Sequence, residues 1–156
     1  MRSLICSLMV LATVIGCKKQ SSPTEPQPQA PMSTNQLVDS VNFTLAIAKQ
    51  YFGVDDTLAA SLTLENQART PRTYSYTYSP LLQWSFWKDT SLVMGYPHVV
   101  SPVITQLTLN LGESKQYSIL QAIRSESGAS VIAGTYTLYA NLRGSNAFLE
   151  LPVVLK

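Results

Sequence analysis

The chain has 156 residues, a formal net charge of +2, 46% hydrophobic residues and only 13% charged residues, which fits one modest domain with appendages better than two full domains. Its 11 basic and 9 acidic residues are spread along the sequence without a run, a pattern that argues against nucleic-acid binding. Two cysteines and one histidine are too few for a Cys/His zinc site or a disulfide framework, so no metal or cofactor is expected.

The first segment has the organisation of a secretory signal peptide: Arg2 is followed by the apolar run from Leu4 to Ile15. This run is shorter than the ~20 residues that a membrane-spanning helix needs. Val14-Ile15-Gly16-Cys17 resembles the lipobox of bacterial lipoproteins, in which cleavage occurs before a lipid-bearing cysteine. We therefore predict a lipoprotein signal peptide in residues 1–16 and lipid attachment at Cys17. The alternative is an ordinary secretory signal in which Cys17 is incidental.

Residues 17–35 are predicted to be the lipidated cysteine and a disordered linker. The stretch from Lys18 to Asn35 contains four prolines among Ser, Gln and Thr, and such a composition buries too little apolar surface to fold. Several acyl chains on Cys17 would anchor the protein stably on a membrane. We therefore expect a tethered domain outside the cytoplasm, on the bacterial cell envelope. Lys18 stands where some inner-membrane lipoproteins carry aspartate, which favours the outer membrane.

From Ser40 onward, apolar residues recur at every second position, which is the pattern of strands. The predicted strands are Val41–Ile47, Leu58–Leu64, Tyr74–Tyr78, Leu82–Phe86, Ser91–Tyr96, Ile104–Leu109, Ser114–Leu120, Thr135–Leu142 and Phe148–Leu155. The best helical candidate, Asn35 to Val41, is only one or two turns long. We predict that residues 36–156 form an all-β, immunoglobulin-like antiparallel β-sandwich of about eight or nine strands, in preference to a barrel.

A further sandwich feature is Ala133-Gly134-Thr135-Tyr136, a Gly-x-Tyr at the start of a strand. It is typical of a tyrosine corner, in which the tyrosine hydroxyl bonds the backbone a few residues upstream. An ordinary half-buried strand tyrosine fits the sequence equally well.

The sequence offers no catalytic constellation. His98 is the only histidine, and no Gly-x-Ser-x-Gly motif supplies a nucleophile. Asp55 and Asp56 lie in a predicted turn, where aspartate is common, and their neighbours provide too few oxygen atoms for a calcium site. We expect a protein that is not an enzyme.

Aromatic residues are concentrated between positions 74 and 87. Tyr74 and Tyr76 alternate with small polar residues, and alternation places Trp84 on one face of the next strand and Trp87 on the other. Aromatic residues are enriched at interface hot spots. These four residues are therefore candidates for partner binding, with core packing as the alternative.

The second candidate contact element is the basic, proline-containing loop from Asn66 to Arg72, with Arg69, Pro71 and Arg72 as its contact residues. An ordinary solvated connection would have the same composition.

The chain from Asn42 to Leu155 resembles the BsuPI family of intracellular proteinase inhibitors. The matching motifs are Leu64-Glu65-Asn66, Tyr74-Ser75-Tyr76, Leu109-Asn110-Leu111-Gly112-Glu113-Ser114, and Gly128 followed by Ala133-Gly134-Thr135-Tyr136-Thr137-Leu138. The resemblance implies a β-sandwich that inhibits a proteinase.

Two functions therefore remain open. The first is a lipid-anchored envelope module that binds a protease or another envelope protein. The second is an adhesion or glycan-binding module that uses an exposed aromatic face. The sequence does not fix the oligomeric state.

Overall fold

The computed structural model describes residues 30–125, 127–128 and 131–156, and no helix occurs in these ranges. Their eleven strands are β1 (Met32–Val38), β2 (Val41–Ile47), β3 (Tyr51–Phe52), β4 (Thr57–Asn66), β5 (Arg72–Tyr76), β6 (Leu82–Lys88), β7 (Ser91–Tyr96), β8 (Thr105–Leu109), β9 (Ser114–Ala122), β10 (Gly134–Leu142) and β11 (Leu149–Leu155). The predicted all-β fold is confirmed, with more strands than expected.

The strands form two larger sheets and a ribbon. The first sheet has the order β1-β2-β4-β9, the second has the order β3-β11-β10-β6-β7, and β5 pairs with β8 alone. All pairs are antiparallel except β3 with β11. Strand β11 of the second sheet lies against β1 and β2 of the first. The two sheets therefore face each other as a sandwich.

Alternation of side chains fills the space between the sheets. In β2, Phe43 and Leu45 are fully buried, and Thr44 between them is half-buried. In β10, Leu138 and Ala140 face the same core. Burial of a side chain as large as those of Phe43, Leu45 and Leu138 contributes about 1.5–3 kcal/mol, so the period-two pattern is also the main source of stability.

The register fixes which loops share an end of the sandwich. Met32 pairs with Ile47, and the chain enters the domain at this end, which we call the proximal end. The hairpin joining β1 to β2 lies at the opposite, distal end, where Val41 pairs with Asn66. The Phe148 amide donates to Gln36 Oε1 at 2.8 Å, which places the start of β11 towards the distal end as well.

The position of the start of β11 gives the orientation of the other strands of the second sheet. Strand β10 ends where β11 begins, and Leu142 at its end pairs with Leu82 at the start of β6. Tyr96, the last residue of β7, pairs with Trp84 near the start of β6. The connection that leaves β7 therefore begins at the distal end.

The folded domain begins earlier than predicted. Strand β1 lies largely within the predicted linker, because Met32 packs against the core and the backbone of β1 pairs along the full length of β2. The helical candidate Asn35–Val41 is the end of β1 and a two-residue hairpin turn. Asp39 and Ser40 form this turn with φ of 49° and 62°, the geometry that joins twisted antiparallel strands. The predicted signal peptide and Cys17 lie outside the described residues.

The tyrosine corner is confirmed. Tyr136 is buried, and its hydroxyl donates to the Ile132 carbonyl at 2.7 Å. Its ring stacks on Phe86 with a centroid distance of 4.9 Å. Burial raises the pKa of the Tyr136 phenol. The single hydroxyl thus ties the connection before β10 to the core.

Candidate functional site

Two of the predicted contact residues lie in the core. Tyr74 and Trp84 are each only 6% exposed. The Tyr74 ring meets Phe43 edge-on at 6.0 Å, and Trp84 stacks with Tyr96 at 6.4 Å. Both side chains stabilise the sandwich and leave little surface for a partner.

The tyrosines of the β5 region do not form a flat exposed strip. Tyr76 is half-buried beneath Arg143, whose guanidinium carbon lies 5.5 Å from the ring centroid. Tyr78 follows β5, is exposed, and contacts Tyr76 at 5.9 Å with tilted rings. Tyr76 and Tyr78 therefore do not present two coplanar, fully exposed rings.

The polar atoms at the start of β5 are buried with incomplete hydrogen bonding. Among the described residues, neither the Tyr74 hydroxyl nor Arg72 Nε has a hydrogen-bond partner. Burial raises the pKa of the Tyr74 phenol, Asp39 raises it further, and Arg72 opposes both. Arg72 is therefore directed partly inward.

Loop 66–72, which joins β4 to β5, is held by Asn66, the one fully buried polar residue of the described core. Asn66 Nδ2 donates to the carbonyls of Thr70, Leu109 and Asn110 at 3.0, 2.9 and 3.0 Å. Its Oδ1 accepts from the Ala68 amide at 2.9 Å. The loop is therefore clamped to the turn that follows β8.

Arg69 and Pro71 are exposed at the surface of this loop. The backbone bends at residues 68–70, because the Asn66 amide draws Thr70 inward. The loop consequently lacks the extended form that a substrate-like protease inhibitor presents.

Trp87 lies on the outer face of the second sheet, as alternation predicted, and is half-buried there. A depression of about 480 Å³ opens beside it, which we call the aromatic depression. It is lined by Ser85, Trp87, Asp89, Thr90, Tyr139 and Phe148. Ser85, the smallest of these residues, pairs with Tyr139 across the sheet. The Tyr139 and Phe148 rings stack at 5.2 Å.

A second depression of about 330 Å³ adjoins the first and shares Ser85 and Trp87 with it. Gly95 pairs with Ser85 and leaves this part of the face open, since it has no side chain. Pro97 and His98 line its far side. The outer face therefore carries a continuous trough that leads to the connection after β7.

That connection, residues 97–104, is exposed and apolar, and we call it the tip loop. Its exposed aliphatic side chains are Val99 (81%), Val100 (41%), Val103 (56%) and Ile104 (72%). Ser101 pairs with Ser79 through two backbone hydrogen bonds of 2.9 and 3.2 Å. The apolar side chains are thus presented on a fixed backbone at the distal end. Their sequence pattern resembles that of a core strand, so sequence reasoning did not identify them as a surface.

A groove of about 370 Å³ separates the edges of the two sheets. Trp84 and Tyr96 line it from one sheet, and Tyr117 and Leu120 line it from the other. Burial raises the pKa of the Tyr117 phenol. Among the described strands, β9 and β7 are the edge strands of the two sheets on this side.

The residues considered for catalysis are placed apart. His98 is exposed at the end of the trough, and Asp56 is held in its turn by Lys49 at 2.6 Å and by the Gly53 amide at 2.8 Å. Within the described ranges, no group of three or more His, Cys, Asp or Glu side chains is arranged to hold a metal ion. The same ranges contain no helix long and apolar enough to cross a membrane.

Comparison with known proteins gives only distant structural similarities. No family model matches the chain, and no curated protein matches it. A β-glucosidase from Erythrobacter marinus is similar over 81% of this chain and 16% of its own, with 13% identity and a TM-score of 0.46. A β-glucosidase from Listeria innocua gives 10% identity and a TM-score of 0.44, over 80% of this chain and 16% of its own.

The sporulation control protein Spo0M from Bacillus subtilis aligns with 76% of this chain and 50% of its own length, at 11% identity and a TM-score of 0.42. The chain thus spans only a small part of both β-glucosidases and half of Spo0M. Likenesses this weak carry no argument about activity.

Proposed function

We propose that this chain is a lipid-anchored, non-catalytic module of the bacterial cell envelope that binds a protein partner through the tip loop. The observation that carries the proposal is the exposure of Val99, Val100, Val103 and Ile104 on one short connection. Contiguous exposed apolar surface is uncommon on soluble proteins and marks interaction sites. A protein partner would remove this surface from water.

The backbone of the tip loop supports this role. The Ser79–Ser101 pairing fixes its middle, and the Val103 amide donates to the Ser101 carbonyl at 2.8 Å. Since little ordering would then be needed on association, more of the binding energy would be retained. A flexible apolar loop would lose this advantage.

The position of the tip loop also fits a tethered binding module. The described chain enters at the proximal end, beside Met32, and the tip loop leaves β7 at the distal end. With lipid at Cys17 and a linker before β1, this arrangement would direct the tip loop away from the membrane.

A proteinase is the specific partner class that the BsuPI resemblance supports. The bent loop 66–72 is poorly suited to insertion in a protease cleft, so the tip loop is the better candidate for the contact. Inhibition is therefore tested by titrating residues 18–156 against a panel of subtilisin-like and envelope proteases, with Arg69→Ala/Arg72→Ala and Val99→Ser/Ile104→Ser variants in parallel.

Partner binding is tested with the same chain immobilised in envelope extract, followed by identification of the captured protein and reconstitution from purified components. We expect Val99→Ser/Ile104→Ser to abolish binding. Leu120→Ser is the matched control, because Leu120 is equally exposed but lies on β9. Equal binding by the tip variant and the control would refute the proposal.

Anchoring is tested separately in cells. Incorporation of labelled fatty acid should be lost in Cys17→Ser, and fractionation should move the protein from the membrane to the soluble fraction. Labelling that survives the substitution would contradict lipid attachment at Cys17.

A further inference from the structure

The aromatic depression differs from other aromatic sites of the molecule in lacking a cation. Elsewhere, five rings lie under a basic side chain: Phe52 under Lys49, Tyr136 under Lys88, Tyr117 under Lys115, Tyr76 under Arg143 and Tyr51 under Lys156. Within the described residues, no lysine or arginine occupies this position over Trp87, Tyr139 or Phe148.

The rim of the aromatic depression adds an unpaired negative charge. Asp89 is exposed in the turn between β6 and β7 and forms no ion pair with any described residue. By contrast, Asp56 in the turn before β4 is bound by Lys49. The described residues that line the depression include no basic side chain.

These features together make the depression complementary to an organic cation. Aromatic faces carry negative electrostatic potential and attract ammonium and guanidinium groups, with Trp the most effective ring. Asp89 would add a charge-assisted hydrogen bond. We infer that the aromatic depression is a docking site for an arginine side chain; this rests on the proposed function only in assigning that arginine to the protein partner.

The shape of the site selects arginine on a protein over a small ammonium compound. Small-molecule sites usually enclose most of their ligand, whereas this depression is open on the outer face of a sheet. A planar guanidinium stacks on an aromatic ring and bonds a carboxylate with two N–H groups, which the compact lysine ammonium does not do.

The depression is also continuous with the proposed interface. It shares Ser85 and Trp87 with the neighbouring depression, which reaches Pro97 and His98 at the start of the tip loop. One partner would thus cover the apolar tip loop and place an arginine beside Trp87.

The test uses residues 18–156 labelled with ¹⁵N, after a well-dispersed spectrum has shown that the chain is folded. Titration with N-acetylarginine amide should give saturable shifts at the Trp87 indole and the Ser85 and Thr90 amides. N-acetylcitrulline amide, which has nearly the same shape without the charge, should bind about fivefold more weakly, as expected for loss of one exposed cation contact.

Asp89→Asn should weaken arginine binding to a similar extent. Asp55→Asn, in a different exposed turn, should leave it unchanged. Equal binding of arginine and citrulline, or an unaltered affinity in Asp89→Asn, would overturn the inference. Shifts at the same residues with cellobiose but not with arginine would assign the site to a saccharide instead.

The partner identified through the tip loop provides the second measurement. Asp89→Asn should lower its affinity while Asp55→Asn does not. If the arginine probe binds but the partner is insensitive to Asp89→Asn, the arginine does not come from that partner. Failure of the tip loop variants to affect binding would refute the proposed function without changing the probe result.

Discussion

Loop 66–72 and the tip loop lie at the same end of the sandwich and are built in opposite ways. In the first, a buried polar side chain, Asn66, bonds four backbone groups and draws the chain inward. In the second, four aliphatic side chains point outward and the backbone is paired only around Ser101. The first loop uses its distinctive residue for folding, whereas the second leaves its apolar residues unused by the fold.

This difference helps to identify candidate functional residues, because residues that the fold does not explain are the better candidates. The presence of Asn66 is explained by the hydrogen bonds that it forms with the backbone of the fold. Val99 and Ile104 are largely exposed and contribute little to the core, so the fold alone does not explain them. Tyr136 and Asp56 fix other connections in the way that Asn66 does, so substitutions at these three positions and in the tip loop test the comparison over a range of expected effects.

Asn66→Ala should have the largest effect. It removes four hydrogen bonds and leaves buried carbonyls unpaired, and we expect a loss of about 3 kcal/mol in the free energy of unfolding. Urea denaturation followed by circular dichroism measures it. Gln67→Ala, at the adjacent exposed position, is the control and should be nearly neutral. A loss below that of a single hydrogen bond would show that the clamp is not needed.

Tyr136→Phe should have an intermediate effect. Only the bond to Ile132 is lost while the ring can still stack on Phe86, so the expected loss is about 1 kcal/mol. The same denaturation experiment applies, with Tyr139→Phe as control because the Tyr139 ring lies on the outer face. A neutral Tyr136→Phe would mean that ring packing alone holds the corner.

The Tyr136 substitution should also alter the response to alkali. A phenol with a raised pKa in the folded state contributes nothing below the ordinary value of 10.0 and destabilises the fold as pH rises above it. Wild-type stability should therefore fall above that pH, and the fall should be smaller in Tyr136→Phe. Parallel curves for the two proteins would contradict the buried phenol.

Most strands of the sandwich could be predicted from the sequence, because one face of a strand packs in the core and the other faces solvent, which produces alternating apolar and polar residues. Alternation correctly placed Trp84 and Trp87 on opposite faces of β6, but it did not show which face belongs to the core. Strand β1 was missed because its residues are mostly polar and four prolines lie in the segment assigned to the linker. Its pairing is supplied by the open edge of β2, which no local pattern reveals.

The proposed contact surface was harder to predict, because it depends on which residues remain exposed after folding. Valine and isoleucine favour strands whether they are buried or exposed. The sequence of residues 99–104 therefore resembles that of a buried core strand. The aromatic depression joins residues from β6, β10 and two connections, and depends on the pairing of Ser85 with Tyr139. Which of these residues become neighbours depends on the register of the strands, and that register is determined by the complete fold rather than by any local segment.

Asp56 should show a small effect confined to acid. The hydrogen bond from Lys49, followed by that from the Gly53 amide, holds the pKa of the Asp56 carboxyl below its ordinary value of 3.8. Its contribution to stability is therefore present above that pH and lost as pH falls through the folded-state pKa. An NMR titration should give a midpoint below 3.8, and Lys49→Met should raise it. Lys115→Met is the control; a midpoint unmoved by Lys49→Met would show that the ion pair is absent in solution.

The tip loop should show the smallest effect on stability. Val99→Ser/Ile104→Ser changes two side chains that lie mainly in water, so the free energy of unfolding should change by no more than about 0.5 kcal/mol. Leu107→Ser, on the adjoining strand β8, is the contrast, because Leu107 belongs to the core and its replacement should be strongly destabilising. A large loss in the tip variant would show that these residues pack against the domain, and the case for a binding surface would fail. A neutral tip variant that no longer binds the partner would separate folding from binding at the distal end.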